Sequence, residues 1–366
     1  MKKIKALIQL LLRNCLIQRM LSSFNVVNAK IFSSTYLLSV PYHWVAFLSF
    51  MREQRAVLYG KKIYYENLNR RRASHVELRR NIHRLEKGLL MQPMRKVFAE
   101  NYIVETVRFY QIAIDDYKAS DDAVDIDELL WSRDVLKKYF SATTYTKVIK
   151  KASDRFKQID DSVLLPQQTN KIPYTRPQEC NLPSYESLLS LSLFRRSVRW
   201  FQQRPVDRNI IDRALVIARQ SPSACNRLPY EFKIFDDPEM VNKVADIPFG
   251  TVGYANNIPV IAVLVGKLNS YFSARDRHAI YIDTSLAAMG FCYGLEVQGV
   301  STCIINWPDF EPLERKMQKM LSLTYSDRVI MLIAIGYADP QAKVAFSQKK
   351  HLETIREYNI KDSNKI

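Results

Sequence analysis

Phe194-Arg195-Arg196-Ser197-Val198-Arg199-Trp200-Phe201 is followed downstream by Ser221-Pro222-Ser223-Ala224-Cys225-Asn226-Arg227-Leu228-Pro229-Tyr230-Glu231-Phe232, and these two blocks carry the most structural information in the sequence. The first block closes a helix that Ser184 can cap and that carries Leu188, Leu189 and Leu191. Arg195 and Arg199, with the Ser197 hydroxyl between them, can present several donors to a phosphate. Each charge-assisted bond of this kind contributes about 1.5–3 kcal/mol. The same cations also suit a helix C-terminus, where they oppose the dipole and bond to terminal carbonyls. The second block is a Pro/Ser/Asn turn between a helix and a strand. Within it Asn226 carries both a donor and an acceptor, which matches the edge of a heteroaromatic ring.

Outward from these blocks the pattern is mixed α and β. A helix is expected after Asp207, with Ile210, Ile211, Ala214, Leu215 and Ala218 on one side. Strands are expected over 230–235, 259–265 and 329–335. A long helix over 279–298 carries Gly290 and Gly294 four apart, which lets another backbone approach closely. Continuous apolar strands alternating with helices imply a sheet covered on both faces. Upstream, residues 1–110 are basic and helical in pattern. A further helix signal begins at Asp125, with acids early and Lys137 and Lys138 late. Pro173, Pro177 and Pro183, with Pro166, then enforce an extended connector. The organisation expected is therefore a helical region over 1–165, a connector over 166–183 and an α+β domain over 184–366.

The chain has 366 residues, 47% of them hydrophobic, and a formal charge of +17. The first hundred residues hold 19 Lys or Arg against 5 Glu, a net +14, so most of the excess lies there. Such a field attracts anionic surfaces without specifying a fold. No zinc module or RNA-recognition aromatic motif accompanies it, which disfavours nucleic acid as a partner. Cys15, Cys180, Cys225, Cys292 and Cys303 form no CxxC pair, pointing to a reducing compartment. The five histidines show no metal spacing. Residues 31–51 lack formal charge, but four serines, His43 and Pro41 suit a packed or interfacial segment better than a span. There is no GxGxxG, GxxxxGK[ST] or GxSxG, so a Rossmann site, a P-loop and a hydrolase elbow are disfavoured.

Taken together and in this order, the two opening blocks resemble the nitroreductase-like superfamily of FMN-dependent oxidoreductases. That family has an Arg-x-Ser-x-Arg/Lys block at a helix end and then a Pro-Ser-x-x-Asn-x-Gln-Pro loop. Asp283-Thr284-Ser285-Leu286-Ala287-Ala288-Met289-Gly290 is similar to its Asp-x-small-x-Ala helix. Gly299-Val300-Ser301-Thr302-Cys303-Ile304-Ile305-Asn306 is similar to its Gly-x-small turn, and Ile335-Gly336-Tyr337 with Ser347-Gln348-Lys349-Lys350 to its closing strand and basic tail. The resemblance covers about half the chain. It implies a mixed sheet flanked by helices, in a homodimer with FMN at the subunit interface. Arg195, Ser197, Arg199 and Lys349 would hold the phosphate and ribityl chain. Ser223 and Asn226 would line the ring and ribityl side, and Ile304 and Ile305 would lie against the isoalloxazine. No side-chain acid or base is required. Two positions depart from the pattern: Leu228 replaces the family's Gln, and His351 its Pro after the basic tail.

The activity implied is hydride transfer from NAD(P)H through FMN to a small-molecule acceptor, in a cytoplasmic protein whose basic region could touch the anionic inner face of a membrane. The alternative is a non-catalytic flavin-fold binding or assembly protein that docks to an anionic partner. Asn81-Ile82-His83-Arg84-Leu85-Glu86-Lys87-Gly88-Leu89 is similar to a segment of long nitroreductase-like proteins from bacterial surface-polysaccharide gene clusters. It reads either as an amphipathic helix ending at Gly88 or as His83, Arg84 and Lys87 set to meet an anionic substrate.

Overall fold

Helix starts follow the side chains that cap them. Asp125 accepts from Asp127 N at 2.9 Å, Ser184 from Ser187 N at 3.1 Å and Asp207 from Asn209 N at 2.9 Å. Each meets amide protons that have no partner inside a first helical turn. The computed structural model describes residues 14–46, 48–69, 75–120, 124–164, 167, 169–177 and 181–359. Pro166 and Cys180 lie outside the described residues.

In chain order the helices begin with α1 (Cys15–Phe32), α2 (Tyr36–Ala46), α3 (Leu48–Asn69), α4 (His75–Leu89), α5 (Ile103–Ala119), α6 (Ile126–Ala142) and α7 (Lys147–Lys157). They continue with α8 (Tyr185–Phe194), α9 (Arg208–Ala218), α10 (Pro238–Ala245), α11 (Ala279–Glu296), α12 (Glu311–Leu321) and α13 (Leu352–Ile355). The strands are β1 (Tyr230–Phe235), β2 (Val260–Lys267), β3 (Ser301–Asn306) and β4 (Asp327–Gly336).

The chain divides into two compact units. One comprises Met1–Glu66, Leu268–Arg277 and Pro308–Arg328; the other comprises Asn67–Lys267, His278–Trp307 and Val329–Ile366. In the first, the Arg52 guanidinium donates to Glu311 at 2.8 Å and to Gln318 at 3.2 Å. The Arg55 guanidinium lies 3.7 Å from the Tyr325 ring centroid. The Arg52 bond, with Arg315 assisting, holds the Glu311 carboxyl down at about 2 against burial. No helix among the described residues is long and apolar enough to cross a membrane.

The second unit has two cores. Leu78, Ile82 and Leu85 of α4 pack with Val107 and Tyr110 of α5 and Leu129, Leu130 and Tyr139 of α6. The other core surrounds a four-stranded sheet of order β1-β2-β4-β3. β1 runs antiparallel to β2, with Tyr230 opposite Gly266, and β3 antiparallel to β4, with Ser301 opposite Gly336. Beyond β3, Ser197 adds a parallel bridge to Thr302, so the sheet is mixed at this edge. β2 is buried along nearly its whole length, as a strand covered on both faces must be. The two helical glycines do what their spacing suggested. A Cβ on Gly294 would stand 2.9 Å from Ala214 Cα, and one on Gly290 3.4 Å from Ala218 Cα, so α9 lies directly on α11.

Gly88 does not end its helix. α4 continues to Leu89, and a Cβ at Gly88 would fall among the ring atoms of Phe98. The glycine there makes room for a ring that arrives from later in the chain; it does not supply a left-handed cap.

Candidate functional site

The α8 helix ends at Phe194, and Arg195 then turns the chain toward the sheet edge. There Val198 N donates to the Thr302 carbonyl at 3.0 Å. This places Arg195, Arg196, Ser197 and Arg199 beside Ala345, Ser347 and Lys349 of the C-terminal segment, around a cavity of about 90 Å³. Four of the eight expected cofactor contacts thus converge: Arg195, Ser197, Arg199 and Lys349. The lining has four cations, two hydroxyls and no acid, a donor set for an anion. Arg195 Nε is buried with no hydrogen-bond partner. It therefore makes no bond to the carbonyls at the end of α8, which is what a purely capping arginine would do. An orphaned buried donor beside a cationic cavity fits a phosphate oxygen. Behind it, burial pushes the Glu296 carboxyl up, opposed by the Ser301 hydroxyl and by Arg195.

Arg199 reaches a second environment. Its guanidinium lies 6.0 Å from the Tyr254 ring. The Tyr254 phenol is pushed up to about 12, first by burial and then by the Cys303 thiol, with Arg199 opposing. Tyr254, Trp200, Gln203, Asp246 and Asn257 contribute to a larger cavity of about 760 Å³.

Ser223 and Asn226 occupy a loop with an unusual backbone. Cys225, Asn226 and Leu228 have φ of +57°, +54° and +49°. For residues with a Cβ the left-handed region costs roughly 1–2 kcal/mol each, somewhat less for Asn. Several bonds hold it. Asp283, 4% exposed, accepts from Ala224 N at 2.9 Å, and Ser223 Oγ accepts from Leu228 N at 3.1 Å. Arg79 of α4 donates from Nε to the Asn226 carbonyl at 3.0 Å and from Nη1 to Glu128 at 2.8 Å. Burial pushes the Glu128 carboxyl up, and Arg79 pulls it down. Leu228, where the resembling family has Gln, is one of the left-handed residues.

Ile304 and Ile305 cannot both lie against a ring. They are neighbours on β3, so their side chains leave opposite faces. Ile304 is 41% exposed, whereas Ile305 is 2% exposed and lies close to Gly250. Only Ile304 has a side chain free to meet a ligand. Strand periodicity carried that distinction. Nothing local marked Arg79, one of many arginines on a polar helix face; its role depends on a contact across the fold. His83 sits 3.5 Å from Glu86, Arg80 pairs with Glu77, and the Arg84 guanidinium lies 3.6 Å from the Tyr102 ring centroid. Glu86 and the Tyr102 ring thus engage His83 and Arg84, two of the three residues that the second of the two readings of this segment sets to meet an anionic substrate.

The arrangement is that of an α+β domain with a cation-lined cavity at one sheet edge and a strained loop leading into the other edge strand. Residues 193–257 and 250–337 match the model of the nitroreductase family, so the C-terminal half of the chain carries a nitroreductase-family domain. A protein of Archaeoglobus fulgidus named for NADH dehydrogenase and NAD(P)H nitroreductase activity is 24% identical over 157 residues, 42% of this chain and 86% of that protein. Among solved structures, an FMN-dependent nitroreductase of Clostridium difficile is 20% identical and aligns over 47% of this chain and 99% of its own, with a TM-score of 0.41. A nitroreductase family protein of Streptococcus pneumoniae is 21% identical over 47% of this chain and all of its own, with a TM-score of 0.41.

Proposed function

We propose that the protein is an FMN-dependent oxidoreductase that takes reducing equivalents from NAD(P)H and delivers them to a small-molecule acceptor. The observation that carries this reading is the convergence of Arg195, Ser197, Arg199 and Lys349 on one acid-free cavity, with Arg195 Nε unpartnered. When bound, FMN supplies the hydride chemistry; protein groups position it and tune its electronics. In this reading the cavity holds the phosphate. Ser223 and Asn226 fix the ribityl and ring side, and the exposed Ile304 offers an apolar contact to the ring. The test is anaerobic. NADH or NADPH should bleach the visible absorbance of the FMN-loaded protein, and added acceptor should restore it. If both nucleotides leave the bound flavin oxidised, the protein is a flavin-fold binding protein rather than an enzyme.

The reading includes a homodimer. The α8 helix buries none of its residues although it carries Leu188, Leu189, Leu191, Leu193 and Phe194. It rests on α11 through a 3.0 Å bond between Ser192 and Tyr293, and α11 exposes Ile282 and Leu286. Apolar faces this open on adjacent helices call for a protein partner.

It also includes peripheral contact with an anionic membrane. Leu16, Met20, Phe24, Val27 and Ile31 form one stripe along α1 and are 49 to 73% exposed. Residues 1–66 hold 10 Lys or Arg against 2 Glu. An exposed apolar stripe within a basic segment suits anionic lipid. Cosedimentation with phosphatidylglycerol vesicles should decline as salt rises; equal binding to phosphatidylcholine, or none to either, would sink this part.

A further inference from the structure

Three of the four residues from Cys225 to Leu228 have positive φ. A segment so far from its local preference persists only where surrounding groups over-determine it. Some of the restraints come from within the family-matching segment, from Asp283 and from Ser223. One does not. Arg79 lies on α4, outside residues 193–337, and its Nε donates to the carbonyl of Asn226, the central left-handed residue. The guanidinium is fixed from behind. Its Nη1 pairs with Glu128, whose side chain is 10% exposed, and its centre lies 5.6 Å from the Trp131 ring. Trp131 is itself held by a 3.0 Å bond from its indole N–H to Glu86. Arg79 thus makes two directed bonds at once, one to a strained loop and one to a buried carboxylate on α6. A lysine can satisfy only the charge; it lacks the planar fork that reaches both acceptors.

We propose that Arg79 is a positioning residue for the flavin site, and that α4 and α6 form a built-in brace holding the Asn226 loop in its left-handed conformation. This rests on the FMN reading above. It gives the helical region a role in cofactor binding that residues 193–337 alone would lack.

The test uses the full-length protein and FMN, comparing wild type with Arg79→Lys, Arg79→Ala and Glu128→Gln. Arg79→Lys keeps a cation for Glu128, so far-UV circular dichroism and melting temperature of the apo-protein should stay near wild type. Its dissociation constant for FMN should nevertheless rise by about tenfold. The visible circular dichroism of its bound flavin should change as well, because the ring side is no longer held in one geometry. Arg79→Ala should show the same change more strongly, and Glu128→Gln a smaller one. A role confined to folding would lower the melting temperature and leave the spectrum of the remaining bound flavin unaltered. If wild type binds FMN and folded Arg79→Lys matches it in affinity and spectrum, the inference is overturned while the FMN reading stands. If wild type fails to bind FMN, both fall.

Discussion

Arg195→Ala is expected to weaken FMN binding by about 10- to 100-fold, since a charge-assisted bond contributes about 1.5–3 kcal/mol and each 1.4 kcal/mol is a decade. The effect belongs to this arginine more than to its neighbours. Its Nε is buried and has no hydrogen-bond partner in the protein, so a bond to a phosphate oxygen would satisfy a desolvated donor. Arg199 and Lys349 line the same cavity from exposed positions, where water screens their charge. Replacing either should cost less. Arg195→Lys is the informative companion, because it keeps a cation near Glu296 while removing the planar donors. Fluorescence titration of apo-protein with FMN reads the result. A variant that holds FMN as tightly as wild type would show that the cavity serves something else.

The second large effect is expected at the exposed face of α8. Leu189→Glu combined with Leu193→Glu should convert a dimer to a monomer at micromolar protein and carry most of the flavin away with it. These residues lie four apart on one side of a helix that buries nothing in the single chain. Central apolar anchors of an interface are worth about 2 kcal/mol or more apiece, and placing two carboxylates there adds desolvation. Sedimentation velocity of wild type and variant checks this directly. A wild type that sediments as a monomer would refute the dimer, and a variant that stays dimeric would place the interface elsewhere.

Features set by neighbours in sequence were legible from the sequence. Asp125, Ser184 and Asp207 announce helix starts because an N-cap bond spans only two or three residues. Gly290 and Gly294 announce a close approach because they share a helix face, and Ala214 is found there. Features set by distant chain segments were not. Gly88 looked like a helix stop because glycine is common there, yet the ring of Phe98 is what requires it. The pairing of Arg79 with Asn226 joins two helical and loop segments with no shared pattern between them. Within the candidate site, the two cationic blocks were legible as separate donors. That Lys349 meets Arg195 follows only from the fold, in which Ser197 bridges to Thr302 of β3 and the segment after β4 returns to the same sheet edge. Ile305 was assigned to the ring although strand alternation turns it inward, a distinction the sequence already contained.

Flavin binding by this protein is expected to depend on recognition of a phosphate monoester at the end of α8. Isothermal titration of apo-protein with FMN and with riboflavin, which share every atom except that phosphate, isolates this term. FMN should bind at least about 100-fold more tightly, as two or more charge-assisted bonds require, and the gap should narrow in Arg195→Ala. Equal affinities for the two flavins, or binding of neither, would rule out phosphate recognition by this cavity.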